Sequence, residues 1–84
     1  MAKNKPLPPL SGKAKQIKVG GVYEHFKGDN YRVIGVGRDS EDLHEVVIYQ
    51  GEYEGKPIFV RAVEMFLDNV QKPDYQGPRF QLIE

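Results

Sequence analysis

The sequence predicts a mostly β domain, a small and strongly curved antiparallel barrel of about five strands with one short helical turn. Three observations carry that expectation. Short runs rich in Val, Ile, Tyr and Phe recur between turn signals from residue 19 onward. Gly35 and Gly37 interrupt the second run, as at a bulge that lets a small sheet curl. The apolar spacing changes to a helical one within Ala62–Leu67.

The elements follow in order. Residues 1–18 are expected to form a flexible basic leader, with Lys3, Lys5, Lys13, Lys15 and Lys18, no acid, and Pro6, Pro8 and Pro9. Leu7 and Leu10 flank the prolines, which leaves open a short extended segment docked on the body or on a partner. The folded domain is expected over residues 19–84. Val22–Phe26 reads as a first strand and Tyr31–Val36 as a second. Between them, Lys27-Gly28-Asp29-Asn30 is a tight-turn signal, so the pair forms a hairpin. Arg38–Asp42 is a polar connection. Glu45–Tyr49 is a β-branched third strand in a central position, and Gln50–Lys56 a turn-rich link. Pro57–Arg61 is a fourth strand, with proline tolerated at its start. Val63, Phe66 and Leu67 share one helical face, and the Met65-Phe66 pair reads as core. Asp68–Gln76 reads as a polar connection, and Pro78–Ile83 as a fifth strand. An SH3-like barrel fits this set best. The OB-fold is second, because it needs more residues and a longer helix.

Composition narrows the function classes. An 84-residue chain with 39% hydrophobic and 29% charged residues suits one thin-cored domain. The lack of cysteine excludes disulfides, thiolate metal sites and thiol nucleophiles, and fits a reducing, cytoplasmic setting. No apolar run approaches the roughly 18–20 residues of a membrane span, and the lysine-bearing start has no apolar signal core. No membrane partner is therefore expected. The zero net charge hides an asymmetry: residues 1–18 carry five lysines and no acid, whereas the rest holds seven basic and twelve acidic groups. An acidic body repels phosphate. Nucleic-acid binding is thus expected to be weak, although Tyr23, Tyr31, Tyr49, Tyr53 and Phe59 offer faces on which bases stack.

One set of ordered residues is more specific. Gly21-x-Tyr23-x-His25-Phe26-Lys27-Gly28-x-x-Tyr31-x-Val33 is followed by Arg38-x-Ser40-Glu41, Val47-x-Tyr49 and Tyr53. Val60-Arg61, Glu64-Met65-Phe66 and Pro78-Arg79-Phe80 complete it. The pattern resembles the domain-of-unknown-function 1653 family of short bacterial proteins over about residues 20–83. The resemblance implies an SH3-like roll and a stand-alone cytoplasmic protein, with no assigned reaction. Two segments depart from it. Phe59-Val60-Arg61-Ala62 stands where the family tends to have Trp-Val-Arg-Pro, and Asp42 and His44 stand where it tends to have Thr and Glu.

The candidate ligand-binding residues are His25, Arg38, Glu41, Tyr49, Arg61 and Arg79. In a barrel this small, strand ends at one rim lie within about 10–15 Å, given strand spacings of roughly 4.8 Å. Guanidinium groups gathered near an imidazole would hold a carboxylate or phosphate through a planar fork. The bland alternative pairs Arg38 with Glu41, Arg61 with Glu64 and Arg79 with loop carbonyls. The expected role is a binding or accessory module for an anionic small ligand or a protein segment. The enzymatic alternative takes His25 as general acid–base, Arg38 or Arg61 as charge stabiliser and Glu41 as the group orienting His25, on a phosphorylated or carboxylate substrate. No nucleophile stands out, since Ser40 beside Glu41 and Asp42 suits a turn. His25 and His44, with Glu24 or Glu45, lack close ligand spacing, so neither metal nor cofactor is expected. The segment Pro6-Leu7-Pro8-Pro9-Leu10 is itself a candidate occupant of a tyrosine-lined groove, in cis or on a neighbouring molecule.

Overall fold

The computed structural model describes residues 6–84. Lys3 and Lys5 of the basic leader lie outside the described residues. The elements run α1 (Gly12–Lys15), β1 (Val22–His25), β2 (Asn30–Arg38), β3 (Glu45–Gly51), β4 (Ile58–Ala62), α2 (Val63–Phe66), β5 (Asn69–Lys72), β6 (Tyr75–Pro78) and β7 (Phe80–Leu82). Among the described residues no helix is long and apolar enough to cross a membrane.

Seven strands form two antiparallel sheets, a five-stranded one in the order β4-β3-β2-β1-β7 and a two-stranded β5-β6 ribbon. Neither sheet closes, which corrects the expected five-stranded barrel. Closure requires the two edges to pair, and β4 and β7 instead remain edges of the large sheet. The extra strands come from the stretch read as a polar connection. There Asn69–Lys72 pairs with Tyr75–Pro78, with Val70 its one buried residue.

Local signals place the β1–β2 hairpin where expected. Gly28 sits at φ 111°, a backbone region that L side chains rarely enter, and its N–H donates to the His25 carbonyl at 2.7 Å. The bulge also lies where the glycines put it, because the β2–β3 register slips between Val33 and Gly35. The slip leaves Val33 and Val36 each opposite a β3 residue that packs in the core, Tyr49 and Val47.

The core forms where the large sheet meets α1 and α2. Val33, Val47, Val63 and Phe66 are its most deeply buried large side chains, joined by Tyr23, Tyr49 and Phe80. Phe66 and Phe80 stack with ring centroids 4.3 Å apart and planes 9° from parallel. Tyr23 and Tyr49 meet Phe66 edge-on at 5.2 and 5.5 Å. Met65 departs from the expectation: it is 51% exposed while its neighbour Phe66 is fully buried. Adjacent helical positions do not share a face, so one turn can bury only one of the pair.

Core residues also precede residue 19. Ala14 and Ile17 are 2% and 6% exposed and belong to the core cluster, with Leu10 packed against it. Ser11 starts the short helix by accepting from the Ala14 N–H at 3.2 Å. Its own N–H and hydroxyl both donate to the Glu45 carboxylate, at 2.6 and 2.5 Å. These bonds hold the Glu45 carboxyl below its ordinary pKa.

Two substitutions test this packing. Phe66→Ala removes the stacked ring and is expected to lower the unfolding free energy by about 3–5 kcal/mol. Ile17→Ala is expected to lower it by about 2–5 kcal/mol if the segment before β1 is part of the core. Urea unfolding followed by circular dichroism measures both. A wild-type midpoint for Ile17→Ala would place that segment outside the cooperative unit.

Candidate functional site

β1, β2, β3, β4 and β7 each contribute to one concavity of about 120 Å³, lined by His25, Tyr31, Tyr49, Phe59, Arg61 and Phe80. The strand registers explain why these side chains meet. His25 lies opposite Phe80, Tyr23 opposite Tyr31, and Tyr49 opposite Phe59. Phe59 and Arg61 are two apart on β4 and so share a face. The walls are a continuous aromatic set. Tyr31 meets Tyr49, Phe59 and Phe80 edge-on at 5.4–6.1 Å, and His25 meets Phe80 at 4.9 Å.

Arg61 is positioned by neutral partners. Its Nε donates to the Tyr49 hydroxyl at 3.2 Å, and its guanidinium carbon lies 5.9 Å from the Phe80 ring centre. Its two terminal NH₂ groups have no hydrogen-bond partner among the described residues, and neither does the proton of the Tyr49 hydroxyl. His25 accepts from the Lys27 N–H at Nδ1, 3.1 Å away. In the neutral ring the proton therefore sits on Nε2, which is left as a donor. Burial first, then the charges of Arg61, Arg79 and Lys27, hold the imidazole below its ordinary pKa, with Asp29 opposing. Tyr31 is pushed well above the usual phenol range, first by burial and then by the Tyr53 hydroxyl 3.5 Å away. It remains a neutral O–H. The concavity thus offers guanidinium, imidazole and phenol donors, and no carboxylate lines it.

The six sequence candidates divide three ways. His25, Tyr49 and Arg61 line the concavity together. Arg79 lies near enough for its charge to act on His25, but it is committed: its Nε meets Asp68 Oδ1 at 2.7 Å, and that ion pair raises the Arg79 pKa. Arg38 works elsewhere, as a clamp. Its Nη1 donates to the Leu43 carbonyl at 3.2 Å, and its Nη2 to the Pro8 carbonyl at 2.8 Å. The proline segment is therefore held against Arg38 rather than in the tyrosine-lined concavity. Glu41 is exposed in the β2–β3 loop, where its N–H donates to Asp39 Oδ1 at 2.8 Å, and it does not reach His25. Tyr31, Phe59 and Phe80 complete the walls. Their signal in the sequence was aromatic residues at alternate positions of neighbouring strands, which sequence alone cannot bring into register.

Two further concavities differ in charge. One of about 140 Å³ also touches His25 but includes Glu24, and one of about 230 Å³ is lined by His44, Ala62, Val63 and the acids Glu45 and Glu64. Asp39, Asp42 and His44 bring ligand atoms within 4.8 Å of one another, with His44 Nδ1 against Asp42 Oδ1. That pair raises the His44 pKa and lowers that of Asp42.

Comparison with known proteins is consistent across sequence and structure. The model of a family described as "Protein of unknown function (DUF1653)" matches residues 21–82. The chain is also similar to a crystal structure of a protein belonging to DUF1653 from Bordetella bronchiseptica. That pair shares 33% sequence identity at a TM-score of 0.71, over 81% of this chain and 90% of that one. A search of curated proteins finds no match.

The shared mouth has a measurable signature. Arg61→Ala removes a positive charge that opposes imidazolium, so the His25 pKa is expected to rise towards its ordinary value, whereas Arg38→Ala leaves it unchanged. Titrating the imidazole C–H signals by NMR reads this directly. An unmoved His25 in Arg61→Ala would show that the two groups do not share a field.

Proposed function

The chain belongs to the DUF1653 family, and from that premise we propose that the domain is a small anion-recognition module whose binding group is Arg61. The observation that supports this reading is the donor-only lining. Arg61 is oriented by a phenol and an aromatic ring, neither of which neutralises it, and its terminal NH₂ groups face a site without a carboxylate. A guanidinium held in this way has already lost much of its side-chain freedom, so a carboxylate or phosphate oxygen pair meets a prepared fork.

Size narrows the ligand. Sites for drug-sized molecules run to roughly 300–1,000 Å³. A concavity of about 120 Å³ has room for a carboxylate on a short stem. The aromatic walls suit the apolar stem, while Tyr49 O–H and His25 Nε2–H supply two further donors at the mouth. An anion seated there stabilises imidazolium. Binding therefore raises the His25 pKa, and affinity strengthens as pH falls through the folded-state pKa of His25.

Titration with sodium acetate at low ionic strength, followed by NMR, tests the reading. The ligand is small, so dissociation constants on the order of 1 mM are expected. Shifts should centre on Arg61, Tyr49 and His25, and Arg61→Ala should weaken binding by about tenfold or more. Equal binding by wild type and Arg61→Ala would overturn the assignment.

A further inference from the structure

β4 is an edge strand of the large sheet, and it carries Phe59 and Arg61 into the anion site. Its other face is apolar and open, with Ile58 and Val60 60% and 64% exposed. Outer-face neighbours extend the patch: Ile48 lies opposite Val60, and Ile34 in the bulge is exposed. Edge strands in free-standing domains are usually blunted by an outward charge, an internal proline or a bulge. β4 has none of these between Ile58 and Val60, because Pro57 precedes the strand and Arg61 turns inward to Tyr49.

The backbone of β4 is open in a specific register. The Gly51 N–H donates to the Pro57 carbonyl at 2.9 Å, which marks a hydrogen-bonded pair between β3 and the residue before β4. Antiparallel pairs alternate, so Tyr49–Phe59 and Val47–Arg61 are the next hydrogen-bonded pairs. The N–H and C=O groups of Ile58 and Val60 therefore point away from the sheet, and no backbone or side chain among the described residues covers them.

We propose that β4 accepts an extended acidic peptide as an added antiparallel strand, with a glutamate or aspartate of that peptide entering the site beside Arg61. This rests on the anion-recognition reading and gives it a partner. A strand bonded to Ile58 and Val60 places the residue opposite Arg61 in a non-hydrogen-bonded pair, where side chains approach most closely. That residue projects onto the inner face, where the Arg61 fork is free. Its two neighbours project outward, beside Val60 and Ala62, and are favourable when apolar. Main-chain bonds supply the docking, and the charge supplies the selection. Charge also decides between an acidic partner and a second copy of this chain. Residues 58–62 hold one charged group, Arg61, and no acid. Pairing β4 with itself therefore supplies no carboxylate to either Arg61, whereas an acidic peptide does.

The capped pentapeptide Val-Glu-Val-Thr-Val tests the proposal, with its glutamate placed opposite Arg61 and its three valines facing outward. Binding is followed by NMR and amide exchange, with acetate as the reference ligand. The peptide is expected to bind at least about tenfold tighter than acetate and to slow exchange of the Ile58 and Val60 amides. Replacing its glutamate by glutamine, or N-methylating its central valine, should each weaken it by about tenfold. Acetate binding with no gain from the peptide would overturn the added strand and leave the anion site standing. Failure of both ligands would overturn the two together. A peptide indifferent to the glutamine replacement would overturn the link between edge and site. Concentration-dependent protection of Ile58 and Val60 in the free protein would assign the edge to a second copy instead.

Discussion

The stack of Phe66 on Phe80 is the contact on which the rest of the structure depends. Phe66 comes from one helical turn and Phe80 from a three-residue strand, and neither element is long enough to hold itself in place. Stacked, they fix α2 under the sheet and β7 beside β1. Phe80 then serves two environments. One face closes the core, and the ring also meets His25, Tyr31 and Tyr49 at the wall of the anion site. In a domain with so little interior, a side chain that packs the core is also close to the surface. The site is therefore built largely from core residues rather than from a dedicated loop.

The three arginines named from the sequence show how the partner, rather than the residue type, sets the role. Arg79 faces Asp68 and is neutralised. Arg38 faces backbone carbonyls, which absorb its donors while tying the proline segment to the β2–β3 loop. Arg61 faces a phenol and a ring, which orient it without consuming its charge. A charge-assisted hydrogen bond from guanidinium to a neutral hydroxyl contributes only about 1.5–3 kcal/mol net. It is nonetheless enough to select one side-chain geometry among several exposed ones. The charge left over is felt by His25, whose imidazole is held neutral by burial and by its cationic neighbours.

What the sequence made legible was local. The β1–β2 hairpin follows from Lys27-Gly28-Asp29-Asn30, the bulge from Gly35 and Gly37, and α2 from the spacing of Val63 and Phe66; each signal lies within a few residues of its consequence. The β5–β6 ribbon was illegible because Asn69, Gln71 and Lys72 surround a single buried Val70, so no alternation of apolar and polar residues announces a strand. Ala14 and Ile17 were hidden for the opposite reason. They sit at helical spacing, but among lysines and after three prolines, where composition suggests an unpacked leader. The site followed the same division. His25, Tyr49 and Arg61 fell together because they lie on strands whose order the hairpins dictate. Arg38 fell elsewhere because its partners, Pro8 and Pro9, are about thirty positions away in sequence and carry no chemical signature as acceptors.

The two edges of the large sheet are not equivalent. At the β7 edge the strand is short, and the chain beyond it is used: Ile83 and Glu84 exchange backbone bonds with Val22, which ties the C-terminal residues to β1. At the β4 edge a longer strand offers apolar side chains and uncommitted backbone groups. The chain has zero formal net charge, so overall repulsion between molecules does little to shield such an edge. Specific protection therefore falls to local features. β4 lacks them, because the inward turn of Arg61 leaves the strand without the outward charge that ordinarily discourages pairing. The residue that would have blunted the edge is the residue that charges the site. Openness at the edge and selectivity at the site thus have a common origin in the orientation imposed on Arg61 by Tyr49.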